Sequence, residues 1–116
     1  MSNSFSTQKA DIPVFLKDFL IHLEVIQGKS PKTANEYLTD LRTFLRYLKC
    51  SSGKADFENF NNISIADVSV EDLQAVTLST LYEYMYYITT VRGNSHNSRA
   101  RKVSSLKTFF KYLNVK

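Results

Sequence analysis

Residues 30–49 read SPKTANEYLTDLRTFLRYLK. Ser30 offers a hydroxyl to a backbone N–H left without a partner at a helix start. Pro31 stands at the first helical position, where its missing N–H costs nothing. Ala34, Tyr37, Leu38, Leu41, Phe44, Leu45 and Leu48 then return every three or four residues, which gathers them on one face of a helix. Asn35, Thr39, Arg42, Thr43, Arg46 and Lys49 are left on the other face. The pattern predicts an amphipathic helix over 31–49.

Working outward, the same period appears on both sides. Phe15, Phe19, Leu23 and Ile26 form one stripe, with Leu16 and Leu20 beside it, and predict a helix over 12–26. Asp11 is placed to cap that helix and Gly28 to stop it. Residues 1–10, MSNSFSTQKA, are polar and read as a flexible tail. Beyond the central helix, Ser51-Ser52-Gly53 marks a turn. Residues 50–69 are a long connection that Phe57, Phe60, Ile63, Ile65 and Val68 should pin to the core. A short helical turn, Val70 to Gln74, is expected after Ser69. Thr77 is placed to cap a third main helix over 78–91, with Leu78, Leu81, Met85 and Ile88 on one stripe and Tyr84 beside it. Gly93-Asn94 ends it. Asn94 or Ser95 starts a fourth helix, 95–113, whose apolar set is Val103, Leu106, Phe109, Phe110 and Leu113, with Ala100 one turn earlier. No strand-like alternation is long enough to propose a sheet, and there are only three Gly and two Pro in 116 residues. The expected fold is all-α, a bundle of four main helices forming one domain over 11–116.

Composition narrows the function classes. The chain is 43% hydrophobic and 22% charged, enough apolar material for one core. A single cysteine, Cys50, has no internal disulfide partner, which fits a reduced, cytoplasmic setting. No apolar run approaches the ~20 residues needed to span a bilayer. Catalytic groupings are missing: no Ser/His/Asp set, paired carboxylates, metal-ligand spacing or Gly-rich phosphate loop. His22 lies among bulky apolar residues and reads as a packing or surface residue, and His96 as a binding or capping residue. Most of the seven Tyr fall at core spacing. No catalytic residue, metal, cofactor, small-molecule substrate or membrane partner is therefore expected.

The charge distribution points elsewhere. Residues 1–91 hold eight Lys+Arg against eleven Asp+Glu, whereas residues 92–116 hold seven Lys+Arg and no acid. An acid-free basic helix suits an anionic partner, since Lys and Arg meet phosphates and Arg reads guanine in the major groove. If Val103, Leu106, Phe110 and Leu113 face the core, then Ser98, Arg99, Arg101, Lys102, Ser105 and Lys107 lie on or near the other side. The central helix offers a second set: Lys32, Thr33, Arg42 and Thr43. The plain alternative for both sets is a solvated face with no partner.

Two stretches carry a family resemblance. SPKTANEYLTDLRTF (30–44) resembles the "S-P-x-T-x-x-x-Y-x-x-D-L-x-x-F" helix of tyrosine recombinases of the phage-integrase or Xer type. RARKVSSLKTFFKYL (99–113) is similar to that family's later "R-K-L-S-x-L-R-x-F-F-x-Y-L". Their order, separation and the long loop between them also fit, and the resemblance covers about residues 11–116. It implies a SAM-like core-binding domain, half of a C-shaped clamp around duplex DNA. The helices at 31–49 and 95–113 would lie against the major groove. The same ten residues, Lys32, Thr33, Arg42, Thr43, Ser98, Arg99, Arg101, Lys102, Ser105 and Lys107, would then face DNA. Tyr37, Leu41, Phe44, Leu106, Phe110 and Leu113 match the family's core positions. The family's catalytic Arg, Lys, His and Tyr lie in a C-terminal domain that residues 1–116 do not contain, so the expectation is a non-catalytic portion of a DNA breaking-rejoining enzyme. Other recombinase protomers are the implied protein partners, with Tyr82, Tyr86 and Tyr87 as candidate contacts. A helical protein-interaction domain using that Tyr-rich helix is the alternative.

Overall fold

The computed structural model describes residues 11–114, and among them every regular element is a helix. The chain divides into two compact units, Met1–Ser69 and Val70–Lys116. The tail expected over residues 1–10 lies outside the described residues.

In the first unit, α1 (Val14–Ile21) runs on into a π-helical turn, His22–Ile26. Leu16, Phe19, Leu20 and Leu23 are completely buried. The stripe read from the sequence fails at its end, because Ile26 is 71% exposed. Its physical cause is the wider turn. The Gln27 N–H donates to the His22 carbonyl five residues back at 3.1 Å, so the face rotates relative to an α-helical count. Gly28, at φ 68°, then lets the Lys29 N–H reach back to the Leu23 carbonyl at 2.9 Å, a six-residue closure that needs a left-handed residue. Asp11 does not cap α1. That helix starts behind an extended Pro13 with no side-chain cap, and the Asp11 carboxylate instead lies 3.4 Å from Arg42.

The central helix, α2 (Pro31–Ser51), begins as its sequence predicts: the Thr33 N–H donates to Ser30 Oγ at 3.1 Å, with Pro31 in the first turn. Ala34, Leu38, Leu41, Phe44, Leu45, Tyr47 and Cys50 are buried along it. Each fully buried Leu or Phe contributes roughly 1.5–3 kcal/mol of apolar transfer. Tyr37 meets Phe19 of α1 edge to face, with ring centroids 5.9 Å apart. Burial, together with the Asp56 carboxylate, pushes the Cys50 thiol up, away from the reactive thiolate.

The long connection is fastened as expected by its apolar residues and also by two cations. Phe60, Ile63, Ile65 and Val68 are buried, whereas Phe57 stays 44% exposed, with its ring 6.2 Å from that of Tyr47. A 3₁₀ segment, Phe57–Asn62, supplies its first part. Arg46 Nε donates to the Ile63 carbonyl at 2.9 Å. Lys49 Nζ donates to the Ser64 carbonyl at 2.8 Å and to the Asp67 carboxylate at 2.7 Å. That ammonium holds the Asp67 carboxyl below the usual carboxylate range.

The second unit contains α3 (Val70–Gln74), α4 (Leu78–Thr90) and α5 (His96–Asn114). Thr77 caps α4 through a reciprocal pair with Thr80, each backbone N–H donating to the other's hydroxyl at 3.2 Å. Tyr84 and Ile88 are completely buried, Leu81 and Met85 half-buried, and Leu78 is 63% exposed in the first turn. Gly93, at φ 67°, reverses the chain, with the Asn94 N–H on the Ile88 carbonyl at 2.9 Å. Ser95 then starts α5: its hydroxyl accepts the Ser98 N–H at 3.2 Å and its carbonyl the Arg99 N–H at 2.9 Å.

Candidate nucleic-acid interface

The rotation of α5 about its own axis decides which basic residues can meet a ligand. Phe109 is completely buried and Leu106 nearly so, whereas Val103, Phe110 and Leu113 are only half-buried. The buried line therefore runs Lys102, Ser105, Leu106, Phe109, about one residue away from the line 103, 106, 110, 113 expected from the sequence. Each residue turns the helix by about 100°, so this shift moves two candidates inward. Lys102 is 6% exposed and Ser105 4% exposed, which corrects the expectation that both lie on a solvent-facing side. A long lysine stem can be covered while its ammonium is satisfied elsewhere.

The opposite side of α5 carries Asn97, Ala100, Arg101, Ser104, Lys107 and Lys111, all exposed. Their spacing of three and four residues places them along one flank. Arg101 and Lys107 belong to the expected set. Asn97, with Ser95 and Ser98, reads from the sequence as a first-turn residue suited to a phosphate or base edge; Lys111, Ala100 and Ser104 are not in the expected set, although the period that reveals them is visible once Phe109 rather than Phe110 is taken as the inward residue. Ser98 and Arg99 are half-buried and help to start the helix. Asn94 Nδ2 donates to Ser98 Oγ at 2.7 Å, and Arg99 Nη1 donates to the Asn94 carbonyl at 2.9 Å. The basic character of this surface is undiluted, since no acid occurs from Arg92 onward.

On α2, in the other unit, the four candidates divide again. Lys32 is exposed in the first turn, and Thr33 is half-buried beside the Ser30 hydroxyl, which donates to its Oγ1 at 3.1 Å. Arg42 is half-buried next to Asp11. Thr43 is buried at 9% exposure, and its hydroxyl donates back to the Thr39 carbonyl at 3.1 Å, so the expectation that it faces outward is corrected. A β-branched hydroxyl inside a helix takes this back-bond readily, and nothing in the α2 periodicity distinguishes it from an outward one.

Among the described residues, no group of three or more His, Cys, Asp or Glu could hold a metal ion, and no helix is long and apolar enough to cross a membrane. Of the three tyrosines expected as protein contacts, Tyr82 and Tyr86 are 66% and 71% exposed and Tyr87 is half-buried.

Comparison with known proteins bears on this arrangement. The family model for the phage integrase N-terminal SAM-like domain matches residues 16–116. Among curated relatives, a tyrosine recombinase XerC from Caldanaerobacter subterraneus subsp. tengcongensis is 39% identical over 102 residues, covering 87% of this chain and 29% of that protein. A tyrosine recombinase XerC from Myxococcus xanthus is 33% identical over 100 residues, covering 84% of this chain and 26% of the relative. Its namesake from Lacticaseibacillus casei is 30% identical over 99 residues, with 82% and 26% covered. The chain thus spans less than a third of the length of the curated relatives it matches. No solved structure gave a significant match. A chain whose regular elements are all helices among the described residues, with both expected motifs in order and matched by the family model over all but its first fifteen residues, belongs to the phage integrase N-terminal SAM-like domain family.

Proposed function

We propose that this chain is the duplex-DNA-binding, core-binding domain of a site-specific tyrosine recombinase, forming half of a clamp around the recombination site. The observation that carries the reading is the exposed, acid-free flank of α5, on which Arg101, Lys107 and Lys111 stand at helical spacing with the short side chains of Asn97, Ala100 and Ser104 beside them. Cations at the margins of a helix can neutralise phosphates while short polar side chains allow the backbone to approach a groove floor. Lys32, exposed at the start of α2, supports a second phosphate contact.

The proposed setting is cytoplasmic, and cleavage and rejoining would need a catalytic domain beyond these residues. Within the complete enzyme, neighbouring protomers on DNA are the proposed protein partners. The exposed Leu78, Tyr82 and Tyr86, four residues apart along α4, favour that helix for such a contact. A helical interaction domain that does not bind DNA is the competing reading.

The test is fluorescence anisotropy with a labelled ~30-base-pair duplex at several salt concentrations. Each neutralised phosphate contributes about −0.9 to the slope of log K against log salt, so three or four cations predict a slope near −3. The variant R101E/K107E/K111E should keep its helical circular dichroism and lose the salt-sensitive binding. Equal binding by this variant, or no binding at low salt by the wild type, would overturn the assignment.

A further inference from the structure

The exposed flank of α5 changes along its length. At about 100° per residue, Asn97, Ala100, Ser104, Lys107 and Lys111 fall within a sector of roughly 80°, centred almost opposite the buried line of Lys102, Ser105, Leu106 and Phe109. The first part of that row, Asn97, Ala100 and Ser104, is short. The second part, Lys107 and Lys111, places each charge at the end of a flexible four-carbon stem. Among the described residues, no hydrogen bond or ion pair holds the side chains of Asn97, Ser104, Lys107 or Lys111, whereas the neighbouring Ser98 and Arg99 are tied to Asn94. The helix start does not draw on Asn97 either, because the Ser95 hydroxyl accepts the Ser98 N–H at 3.2 Å. Asn97 therefore presents an exposed, unengaged carboxamide, with an acceptor oxygen beside a donor nitrogen.

We infer, resting on the DNA-binding reading above, that α5 enters the major groove by its first turns, that Asn97 reads an adenine there, and that Lys107 and Lys111 hold phosphates at the groove's edge. A helix comes close to base edges only where its side chains are short, which selects the end from Asn97 to Ser104. The row is about 21 Å long from Asn97 to Lys111, at 1.5 Å per residue, and the groove is about 12 Å wide, so its two ends meet different parts of the duplex. Adenine presents an acceptor, N7, beside a donor, the N6 amino group. A carboxamide satisfies both at once, donating from Nδ2 to N7 and accepting at Oδ1 from N6. The other short residues discriminate less: the Ser104 hydroxyl turns to suit a donor or an acceptor, and Ala100 offers only a surface for a thymine methyl. The lysines, as flexible point charges, meet phosphates, which carry no direct sequence information.

The test is selection from a pool of duplexes with a randomised centre. The bound fraction is sequenced for the wild type, N97A, K107A and K111A, after circular dichroism shows each to be helical. The wild type should enrich adenine at one position by about five- to a hundredfold, the range for a paired base contact. N97A should lose that enrichment and keep the preferences at other positions. K107A and K111A should keep the adenine preference, weaken all sequences alike, and each lower the salt slope on one duplex by about 1. A wild type that binds every sequence equally, or an adenine preference that survives in N97A, would overturn the inference. Even weakening of all sequences by N97A would overturn it too, since Asn97 would then touch the backbone. A wild type that shows no salt-sensitive binding would overturn the DNA-binding reading itself, a result distinct from the others.

Discussion

At the scale of single residues, charge and exposure have to be taken together. Lys102 and Lys107 are five positions apart on one basic helix, and the sequence offers no way to rank them. Yet Lys102 is 6% exposed, while Lys107 is exposed. Reversing a charge that is covered leaves an uncompensated anion in a poorly solvated place, at about 3 kcal/mol or more. Reversing an exposed charge away from such features usually changes stability by less than ~0.5 kcal/mol. Chemical denaturation of K102E should therefore show a large loss of stability, and K107E almost none, while anisotropy shows K107E weakened on DNA. A K102E protein as stable as the wild type would contradict the placement of that side chain. The same reasoning explains Thr43, whose inward position and bond to the Thr39 carbonyl are invisible in a helical-wheel count.

At the scale of elements, the signals that survive translation from sequence to structure are local ones. Ser30-Pro31, Thr77 and Ser95 each start a helix where the sequence places the start, because a cap depends on residues within one turn. Gly28 and Gly93 end helices for an equally local reason, the left-handed backbone that closes the last turn. Rotational phase is less legible. In α5, Phe109 and Phe110 are adjacent, and either can serve as the inward residue of an amphipathic pattern. The choice falls to packing outside the helix, and it sets whether Lys102 and Ser105 or Ser104 and Lys111 are presented. In α1, the π-helical turn shifts the face after Ile21 and leaves Ile26 outside, and no residue type announces such a turn. The phase of α5 is open to a direct check. Phe109→Ala should cost about 3–5 kcal/mol, the usual range for a buried Phe. Phe110→Ala, at a half-buried site, should cost clearly less. Equal losses in urea melts, or the reverse order, would contradict the phase.

At the scale of the whole molecule, the features that support the proposed function are the unequal distribution of charge and the family to which the chain belongs. Eleven acids lie before residue 92 and none after it, a division legible from the sequence alone. Family membership was equally legible in two motifs, SPKT–Y–DL–F and RK–S–L–FF–YL, because capping, core and surface positions are tied together in each. What the sequence could not rank was the individual members of the proposed contact surface, since exposure depends on three-dimensional packing. The measurement that tests the central claim most directly is a ¹H–¹⁵N NMR titration of the domain with unlabelled duplex DNA at low salt. Shift changes should concentrate on the exposed flank of α5, at Asn97, Ala100, Arg101, Ser104, Lys107 and Lys111, and reverse as salt is added. Changes centred on Leu78, Tyr82 and Tyr86 of α4 with α5 silent, or no changes at all, would contradict the account.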